Sequence, residues 1–366
     1  MKKSFRKSAL TAAVMLGTLG VVSVAQAQEP LNVVSWGGAY TMSQEEAYSK
    51  PWTEQTGQRI VNIDRSATGL AGLRAQVEAG NVTWDLVDML PADAKIACAE
   101  GLIEVLDHDE LLSPAPDGTP ASEDFVPGAL DECFVATIVY SNIVAFNTEM
   151  FPADKKPSKI ADIFDLENYP GMRSLQRRPI NNLEWALLAD GVPHGEVYDM
   201  LATEAGLERA FAKLDTIKDN TIWWSEGAQP PQLLADKEVA FASAYNGRIF
   251  DAQVNESQPF EIIWDGQVFE LDGWVVPQGK MDTAKEFLRF STDTERNAGQ
   301  ASYISYGPSR MSAAGLVGNH IPTGVEMTPH MPTYEPNFAT ALPKDDEFWA
   351  DYQDELNERF DAWLAN

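Results

Sequence analysis

Two long β-rich runs constrain the fold of this chain more than any other feature of its sequence. The first run covers residues 133–147 and the second covers residues 262–276. Strands in globular proteins usually have about 3–10 residues, so neither run fits one strand of an ordinary sheet. We therefore predict that each run crosses between two lobes. Two crossings produce a hinged clam, and the cleft between its lobes is the expected place for a ligand.

The region before the first run alternates short apolar strands with helical patterns. Strands are predicted over 31–36, 59–63 and 84–90, and helices over 43–56 and 70–79. Strands separated by helices of this length indicate βαβ units, a parallel sheet and ligands at the strand ends. The alternation returns between residues 157 and 260, with helices predicted over 184–190, 207–214 and 231–236.

The chain is long enough for two lobes, since about 340 residues follow the N-terminal segment and exceed one ordinary core. Further helices are predicted over 283–292 and 348–364, the second of them acidic and amphipathic. The predicted division is a signal peptide (1–27), a discontinuous first lobe (28–138 plus 270–366) and a second lobe (139–269).

The N-terminal segment has the pattern of an export signal. Four basic residues lie among the first seven positions, an apolar core covers 9–25, and residues 25–27 form a small-x-small cleavage site. A membrane anchor is the alternative, but Gly17 and Gly20 interrupt a short core and the cleavage residues follow directly. The pattern predicts a soluble protein exported to the periplasm of a Gram-negative cell.

The net charge argues against nucleic acid as a partner. The formal charge is -28, and loss of the four basic residues of the acid-free signal gives -28 - 4 = -32. Phosphate binding needs a basic face, which such a chain lacks. A solvated acidic surface explains the charge better than an electrostatic attraction for cations.

The two cysteines are predicted to form a structural disulfide. Cys98 and Cys133 are the only cysteines, and an even pair in an oxidising compartment is usually bridged. The four histidines are scattered without paired spacing, so we predict no metal site. We also predict no cofactor.

The sequence contains no recognisable catalytic motif. It has no Gly-x-Ser-x-Gly, no phosphate loop and no His-Glu-x-x-His. Residues 66–69 precede a helix, where they fit either a carboxylate site or a plain N-cap.

Aromatic and charged residues instead collect at predicted strand ends and turns. An aromatic face attracts an ammonium group by about 0.5–2 kcal/mol, and a nearby carboxylate fixes the charge. A buried core position is the alternative for each aromatic taken alone. The candidate ligand contacts are Trp36, Tyr40, Glu184, Trp223, Trp224, Tyr245, Arg248, Glu270, Asp272, Trp274 and Tyr306.

Four stretches carry a resemblance to a known family. They are 34–40 (VSWGGAY), 242–248 (ASAYNGR), 269–277 (FELDGWVVP) and 306–309 (YGPS). In this order and spacing the chain resembles the spermidine/putrescine-binding family of periplasmic solute-binding proteins, which serve ABC importers. The resemblance implies an α/β fold with two lobes (a type II periplasmic binding protein), no catalysis, and a ligand held between aromatic side chains while acids bind its amino groups.

The family pattern assigns roles to several residues of this chain. Trp36 and Tyr40 resemble the aromatics that line the cleft from the first lobe. Tyr245 falls where the family usually has tryptophan, and Asp272 matches the acid that pairs with a ligand ammonium. Tyr306 matches a tyrosine near a later proline.

Two departures from the family pattern concern charge. Glu270 replaces an aromatic, and Arg248 stands where some members have aspartate, next to a predicted tight turn at Asn246-Gly247. A third departure places Arg177-Arg178 and Asn181 where polyamine binders tend to supply acids before a helix, although Glu184 is close enough in sequence to substitute for them.

A guanidinium in the cleft repels a diamine but pairs with a carboxylate or sulfonate. The alternative is that Arg248 points away from the cleft to a structural acid. The sequence thus predicts a ligand with an amine, either a polyamine or an ω-amino acid such as 4-aminobutyrate.

The predicted partners are this ligand and the membrane permease of an ABC importer, and the protein is predicted to be a monomer. Two rival functions remain open on the sequence. One is an exported hydrolase on an α/β scaffold, and the other is a binding protein that signals to a chemoreceptor.

Overall fold

Strands and helices alternate along the part of the chain that the structure describes. The structure is a computed structural model and describes residue 1 and residues 29–65 and 68–365. The strands are β1 (Leu31–Ser35), β2 (Ile60–Asp64), β3 (Leu86–Met89), β4 (Leu130–Asp131), β5 (Phe134–Asn147), β6 (Arg173–Gln176), β7 (Thr221–Trp224), β8 (Phe241–Tyr245), β9 (Phe260–Val275), β10 (Gly307–Pro308) and β11 (Leu342–Pro343).

Most of the helices are short, and the longest one ends the described chain. They are α1 (Gly38–Gln44), α2 (Lys50–Thr56), α3 (Gly69–Glu78), α4 (Pro91–Ala99), α5 (His108–Leu111), α6 (Ala121–Asp124), α7 (Asn182–Ala189), α8 (Val197–Leu201), α9 (Glu204–Asp215), α10 (Gln229–Ala235), α11 (Asn246–Asn255), α12 (Met281–Ser291), α13 (Thr294–Gln300), α14 (Met311–Ala314), α15 (Glu335–Phe338) and α16 (Asp346–Ala365). A π-helical segment, Glu45–Ser49, joins α1 to α2.

The two long runs form the centre of one mixed sheet. Its main order is β2-β1-β3-β9-β5-β8-β6-β7, with β4 and β10 on β5 and β11 on β9. The three strands at one end are parallel to each other, as are the three at the other end, while β5 and β9 run antiparallel to each other and to β8 and β3, respectively. The predicted α/β fold with two crossing strands is confirmed.

Apolar side chains divide into two main cores on either side of the crossing strands. The first core contains β1, β3, the start of β5 and the end of β9, together with α12. The second contains α7, α9 and the other halves of β5 and β9. Two register shifts in the β5–β9 pairing lie between Ala136 and Ile138 and between Asn142 and Val144. The crossing strands are thus the shared connection between two separately packed halves.

The C-terminal helix α16 packs mainly on the second half of the molecule. Its Trp349 and Phe360 are buried in the second core, and Arg359 pairs with Glu204 at 2.7 Å. This packing differs from the predicted first-lobe range 270–366, because apolar burial and not chain order decides which core a helix joins. We propose that the second lobe includes α16 while β5 and β9 connect the lobes.

The structure also corrects the predicted turn at Asn246-Gly247, which is wrong. Asn246 begins α11 directly after β8, and its side chain accepts from Ser141 N at 2.9 Å and donates to Ser305 O at 2.6 Å. A Cβ on Gly247 would lie 2.5 Å from Tyr306 Cε1. The glycine is needed for close approach of a ring rather than for a turn.

The predicted disulfide is confirmed, and it joins Cys98 at the end of α4 to Cys133 just before β5. Within the described residues no helix is both long and apolar enough to cross a membrane, and no cluster of three or more His, Cys, Asp or Glu suits a metal ion. The predicted signal peptide lies outside the described residues apart from residue 1, as do residues 66 and 67 of the candidate helix-start site.

Candidate functional site

A small cavity lies between the two halves, against the crossing strands. It leaves about 60 Å³ for the centres of water-sized molecules, which is room for a few water molecules and hence for a small ligand. Its lining residues are Trp36, Tyr40, Leu90, Ile138, Tyr140, Arg178, Tyr245, Arg248, Asp272 and Tyr306.

The first half contributes two aromatic side chains from the junction of β1 and α1. Gly37 and Gly38 have φ values of 78° and 60°, a left-handed backbone that turns the chain sharply between Trp36 and Tyr40. The Tyr40 hydroxyl donates to Asp88 Oδ1 at 3.1 Å, which fixes the orientation of the ring. Trp36 Nε1 is buried without a hydrogen-bond partner among the described residues.

The crossing strands form the floor of the cavity. Ile138 on β5 is paired in register with Asp272 on β9, and Tyr140 with Glu270. Because side chains two residues apart share one face of a strand, these four side chains point to the same side of the sheet. Of the two carboxylates on this side of the sheet only Asp272 lines the cavity, between apolar and aromatic neighbours.

The second half contributes a tyrosine and two guanidinium groups. Tyr245 ends β8, and Gln176 Nε2 donates to its hydroxyl at 3.1 Å. Arg248 lies in the first turn of α11 with its guanidinium carbon 6.0 Å from the centre of the Tyr245 ring. Arg178 follows β6, so it projects from the carboxyl end of a parallel strand, the edge where such sheets bind ligands.

Arg248 also connects the two halves across the cavity. Its Nη2 donates to Trp36 O at 3.4 Å and to Gly37 O at 3.3 Å. A Cβ on Gly38 would lie 2.8 Å from Arg248 Nη1, so α1 and α11 approach closely. The structure therefore has the two halves in contact over the cavity.

The charged side chains that line the cavity do not form ion pairs with one another. Among the described residues neither Arg178, Arg248 nor Asp272 forms a salt bridge. Arg178 Nε and Arg248 Nε are buried without a hydrogen-bond partner in that part of the chain. Buried polar groups are nearly always hydrogen-bonded, so unpartnered donors on this wall indicate a ligand with acceptor atoms.

Burial dominates the electrostatics of the floor. It raises the pKa of Asp272 to about 8, although the Tyr40 hydroxyl and the Gly273 amide oppose the shift. Burial likewise raises the pKa of the Tyr306 hydroxyl, against the field of Arg248. A ligand ammonium beside Asp272 would restore the ionised carboxylate, because an opposite charge favours the charged form.

Six of the predicted contacts come together in the cavity, namely Trp36, Tyr40, Tyr245, Arg248, Asp272 and Tyr306. The rings of Tyr40 and Tyr306 lie 5.9 Å apart, and those of Tyr140 and Tyr306 lie 6.0 Å apart. These distances between ring centres are typical of packed aromatic pairs, so the aromatic wall is prearranged.

Glu184, a predicted contact, lies outside the lining. It is buried in the second core, where Trp349 Nε1 donates to its Oε1 at 2.8 Å and the Tyr198 hydroxyl at 3.2 Å. Glu184 is on α7, which starts after Asn181 and so lies close in sequence to Arg178. The Glu184 side chain nevertheless points toward α16. The structure thus places Glu184 in a link between α7 and α16.

Glu270 also lies outside the lining of the cavity, although it is on the same face of β9 as Asp272. Lys344 Nζ is 2.6 Å from Glu270 Oε2, and Asn142 Nδ2 donates to Oε1 at 2.5 Å. Lys344 in turn pairs with Asp346 at 3.0 Å. The segment between β11 and α16 therefore neutralises the acid that departs from the family pattern.

Three predicted tryptophans pack elsewhere. Trp223 lies against Trp363 of α16 with ring centres 5.7 Å apart. Trp224 is buried and donates to Ser243 Oγ at 3.0 Å, so it supports β8 from behind. Trp274 lies two residues beyond Asp272, at the end of β9 that packs in the first core, and it is buried there.

The sequence prediction missed four lining residues, Leu90, Ile138, Tyr140 and Arg178. Ile138 and Tyr140 are two residues apart on β5 and therefore share one face of the strand. Every residue of this strand is buried, so an alternation of polar and apolar residues could not show which face borders the cavity. Arg178 was noted only as a departure from the family pattern. Its position directly after a parallel strand is the signal that could have selected it.

Of the described residues, those that line the cavity include no serine, threonine, cysteine or histidine side chain. Its chemistry consists of aromatic faces, two permanent cations and one titratable carboxyl group. Such a set orients a ligand with charges of both signs.

Known proteins with similar sequence and structure are binding proteins. The family model for bacterial extracellular solute-binding proteins matches residues 47–333. The gamma-aminobutyric acid-binding protein of Pseudomonas aeruginosa is 38% identical over 350 residues, which cover 95% of this chain and 94% of that protein.

Solved structures give the same result. The PBP MotA of A. tumefaciens B6, in complex with glucopine, has a TM-score of 0.81 at 30% identity and covers 92% of this chain and 99% of its own. A GABA receptor structure has a TM-score of 0.77 at 30% identity, over 92% of this chain and 98% of its own. The predicted fold and solute-binding role are confirmed, while the polyamine specificity implied by the resemblance stays a prediction.

The family match covers well over half of the chain, and the curated relative covers nearly all of it. The chain therefore belongs to the bacterial extracellular solute-binding protein family and is a solute-binding protein of an ABC transporter.

Proposed function

We propose that this protein captures a small ω-amino acid, of which 4-aminobutyrate is the type, and presents it to the permease of an ABC importer in the periplasm. The observation that carries the proposal is the bipolar lining of the cavity. Two guanidinium groups without a carboxylate partner lie on the wall from the second half, and Asp272 without a cation partner lies on the floor.

The basic wall suits a carboxylate. A guanidinium presents its N–H groups in a planar fork that matches two carboxylate oxygens. Arg178 and Arg248 both have a buried Nε without a partner among the described residues. A ligand carboxylate between them supplies acceptors to both groups and compensates their charge.

The opposite end suits an ammonium group. Asp272 lies among the rings of Trp36, Tyr40 and Tyr306, and aromatic faces attract a cation while they exclude water. The carboxylate then pairs with the ammonium in a site of low polarity, where charge–charge attraction is stronger than in water.

The proposed ligand contacts are the six predicted residues of the lining, Trp36, Tyr40, Tyr245, Arg248, Asp272 and Tyr306, together with Tyr140 and Arg178. Contacts from both halves also explain why ligand stabilises closure, since only a ligand that touches both lobes favours the closed form.

A diamine fits this lining less well than an amino acid. Its second ammonium would lie beside Arg178 or Arg248, and like charges repel strongly at a desolvated site. The relatives support the same choice, since a curated relative is named for binding gamma-aminobutyric acid and a solved neighbour is a GABA receptor. A monomer remains our prediction for the oligomeric state.

Isothermal titration calorimetry with a matched ligand set tests the proposal. We expect 4-aminobutyrate to bind, whereas putrescine, which has ammonium at both ends, and butyrate, which has no ammonium, should bind at least about 100-fold more weakly. Stronger binding of putrescine or spermidine than of 4-aminobutyrate would contradict the proposal.

A pair of neighbouring arginine variants gives the site-specific test. Arg178→Ala should weaken 4-aminobutyrate binding by about 100-fold or more, because it removes one partner of a buried charge pair. Arg177→Ala is the control, since Arg177 is exposed and pairs with Asp361 on the surface. Equal affinities of the two variants would remove Arg178 from the proposed site.

A further inference from the structure

We propose that Asp88 is a second carboxylate of the binding site that shares a proton with Asp272, and that a ligand ammonium displaces this proton on capture. The inference rests on the proposed function, since it takes a ligand that carries an ammonium group. It makes Asp88 a positioning residue, because it acts on the ligand through Asp272 and Tyr40.

The sheet brings the two carboxylates together. Asp88 on β3 is paired in register with Trp274 on β9, and Asp272 is two residues before Trp274 on the same face of that strand. Diagonal neighbours of this kind lie about 7–8 Å apart at their backbones, within reach of each other's side chains. Leu90, two residues after Asp88, lines the cavity, as does Tyr40, whose hydroxyl donates to Asp88, so Asp88 contacts the lining without being part of it.

Both side chains are buried and share one hydroxyl neighbour. Asp88 is 0% exposed and Asp272 is 3% exposed. Asp88 Oδ1 accepts from the Tyr40 hydroxyl at 3.1 Å and Asp88 Oδ2 accepts from Gln44 Nε2 at 2.7 Å. The Tyr40 hydroxyl also favours the ionised form of Asp272, and Tyr40 and Asp272 both line the cavity, so Tyr40 is a neighbour of both carboxyl groups.

No cation neutralises this pair among the described residues. The titratable and charged groups that face it are Tyr40, Tyr48, Tyr140, Tyr306, Glu270 and Arg248. The tyrosines are neutral at physiological pH, and Glu270 is paired with Lys344. Arg248 belongs to the basic wall of the cavity and forms no salt bridge with either carboxylate.

Two desolvated carboxylates without a cation hold a proton between them, because the second ionisation places like charges close together. Burial raises the pKa of both Asp88 and Asp272, and the charge of Asp272 raises that of Asp88 further. The proton count therefore belongs to the pair and not to one residue. In the ligand-free site the pair therefore retains a proton to higher pH than isolated aspartates would.

Ligand capture changes this proton count. An ammonium beside Asp272 stabilises the ionised form, so the carboxyl O–H bond breaks, its electron pair stays on the oxygen and the proton passes to the solvent. By linkage, affinity for the ligand rises with pH until the pair is ionised without ligand, and it levels off above that pH. The ligand amine keeps its own proton throughout.

Calorimetry in buffers of different ionisation enthalpy counts the protons released. With 4-aminobutyrate as the probe, from about pH 5.5 to 8.5, we expect wild type to release close to one proton per ligand in the neutral range. In Asp88→Asn the release curve should move to lower pH by at least about one unit, because Asp272 no longer shares a site with a second carboxylate. The new Asn Oδ1 can accept from Gln44 Nε2 in place of Asp88 Oδ2, and its Nδ2 can donate to the Tyr40 hydroxyl oxygen, so this variant keeps its hydrogen bonds.

Glu184→Gln is the matched control. Glu184 is a buried carboxyl group with its pKa raised by burial to about 7, but it lies outside the cavity and should leave proton release unchanged. Binding of 4-aminobutyrate without proton release, an unshifted curve in Asp88→Asn, or the same shift in Glu184→Gln would each overturn the inference and leave the proposed function standing.

A ligand-free measurement separates the two proposals. Carbon NMR of aspartate-labelled wild type should show two carboxyl groups that titrate together above about pH 6, and Asp88→Asn should lower the midpoint of Asp272. If 4-aminobutyrate fails to bind at any pH, the proposed function fails, while the NMR titration still decides whether the proton is shared. Two independent titrations at ordinary aspartate values would refute the inference.

Discussion

Arg178 and Arg248 lie on the same wall of the cavity, but only Arg248 was selected from the sequence. Arg248 stood out because it follows a recognisable aromatic stretch. Arg178 follows a four-residue strand, β6, and shares its dipeptide with the exposed Arg177. Which of two adjacent arginines faces the cavity depends on the direction of the backbone after β6, and the sequence does not specify that direction.

Glu184 shows how burial changes the role of a residue that looks functional. In the sequence it is an acid near a helix start, and in the structure it accepts from Trp349 and Tyr198 inside the second core. In these apolar surroundings the neutral carboxyl group is favoured. The packing of α16 on α7 is therefore weakened when Glu184 ionises.

We expect Glu184 to make stability depend on pH. Burial raises its pKa from 4.5 to about 7, so between these values the folded protein holds a proton that the unfolded chain has released. The contribution is fully present below pH 4.5 and is lost as pH rises through 7, a change of about 3 kcal/mol. Urea unfolding of wild type and Glu184→Gln at pH 5 and pH 8 measures it.

The difference in unfolding free energy between the two proteins should therefore shift in favour of Glu184→Gln at the higher pH. Glu208→Gln, on the exposed side of α9, is the control and should show no such shift. A constant difference across the range would mean that Glu184 is ionised in the folded protein.

At the scale of elements, α16 is held by its apolar side chains more than by its charges. Trp349, Leu356 and Phe360 are buried in the second core, and the Phe360 ring lies 5.5 Å from that of Trp223. The helix also reaches α4 of the first half, where Gln353 Nε2 donates to Asp93 Oδ1 at 3.3 Å. It therefore covers the second core and touches both halves.

Phe360→Ala should lower the unfolding free energy by about 3–5 kcal/mol, because a fully buried ring leaves a cavity when it is removed. Phe360 is 0% exposed. Chemical denaturation measures the loss, and Asn357→Ala on the exposed face of the same helix is the control. A loss below about 1 kcal/mol would show that α16 is not part of the second core in solution.

At the scale of the whole molecule, two separately packed halves meet at the crossing strands and across the cavity. Arg248 of α11 donates to the backbone at Trp36 and Gly37, so a basic residue of the ligand wall also forms contacts of the closed form. Under the proposed function, closure of the two halves and ligand recognition would use this same side chain.

The disulfide should matter for global stability and little for the site. Cys98 and Cys133 are 35 residues apart in sequence, and closing a loop of that length stabilises the folded state by about 3–4 kcal/mol on the chain-entropy model. The double variant Cys98→Ala/Cys133→Ala should lose that amount in thermal or chemical unfolding and should keep its affinity for 4-aminobutyrate.

Reductant provides the control for this prediction. It should destabilise wild type by a similar amount and leave the double variant unchanged. Reduced affinity of the folded double variant for 4-aminobutyrate would instead show that the bridge supports the cavity.

The sequence by itself determined the α/β class, the two crossing strands, the disulfide and the family, because hydrophobic periodicity, strand length and short motifs are local properties. It also selected the six aromatic and charged residues at strand ends that now line one cavity. It placed a turn where α11 begins. Its first-lobe range includes α16, which packs in the second core, and its candidate contacts include Glu184, Glu270 and three tryptophans that lie outside the cavity lining.

Only the tertiary structure decided which of these residues line the cavity. Glu270 and Asp272 are two residues apart on one face of β9, but Lys344 from a distant segment covers the first and leaves the second open. Asp88 likewise lies near the cavity because β3 pairs with β9, which is nearly two hundred positions away in the chain. Burial and charge balance at a site are sums over residues that are distant in sequence, so no local pattern can specify them.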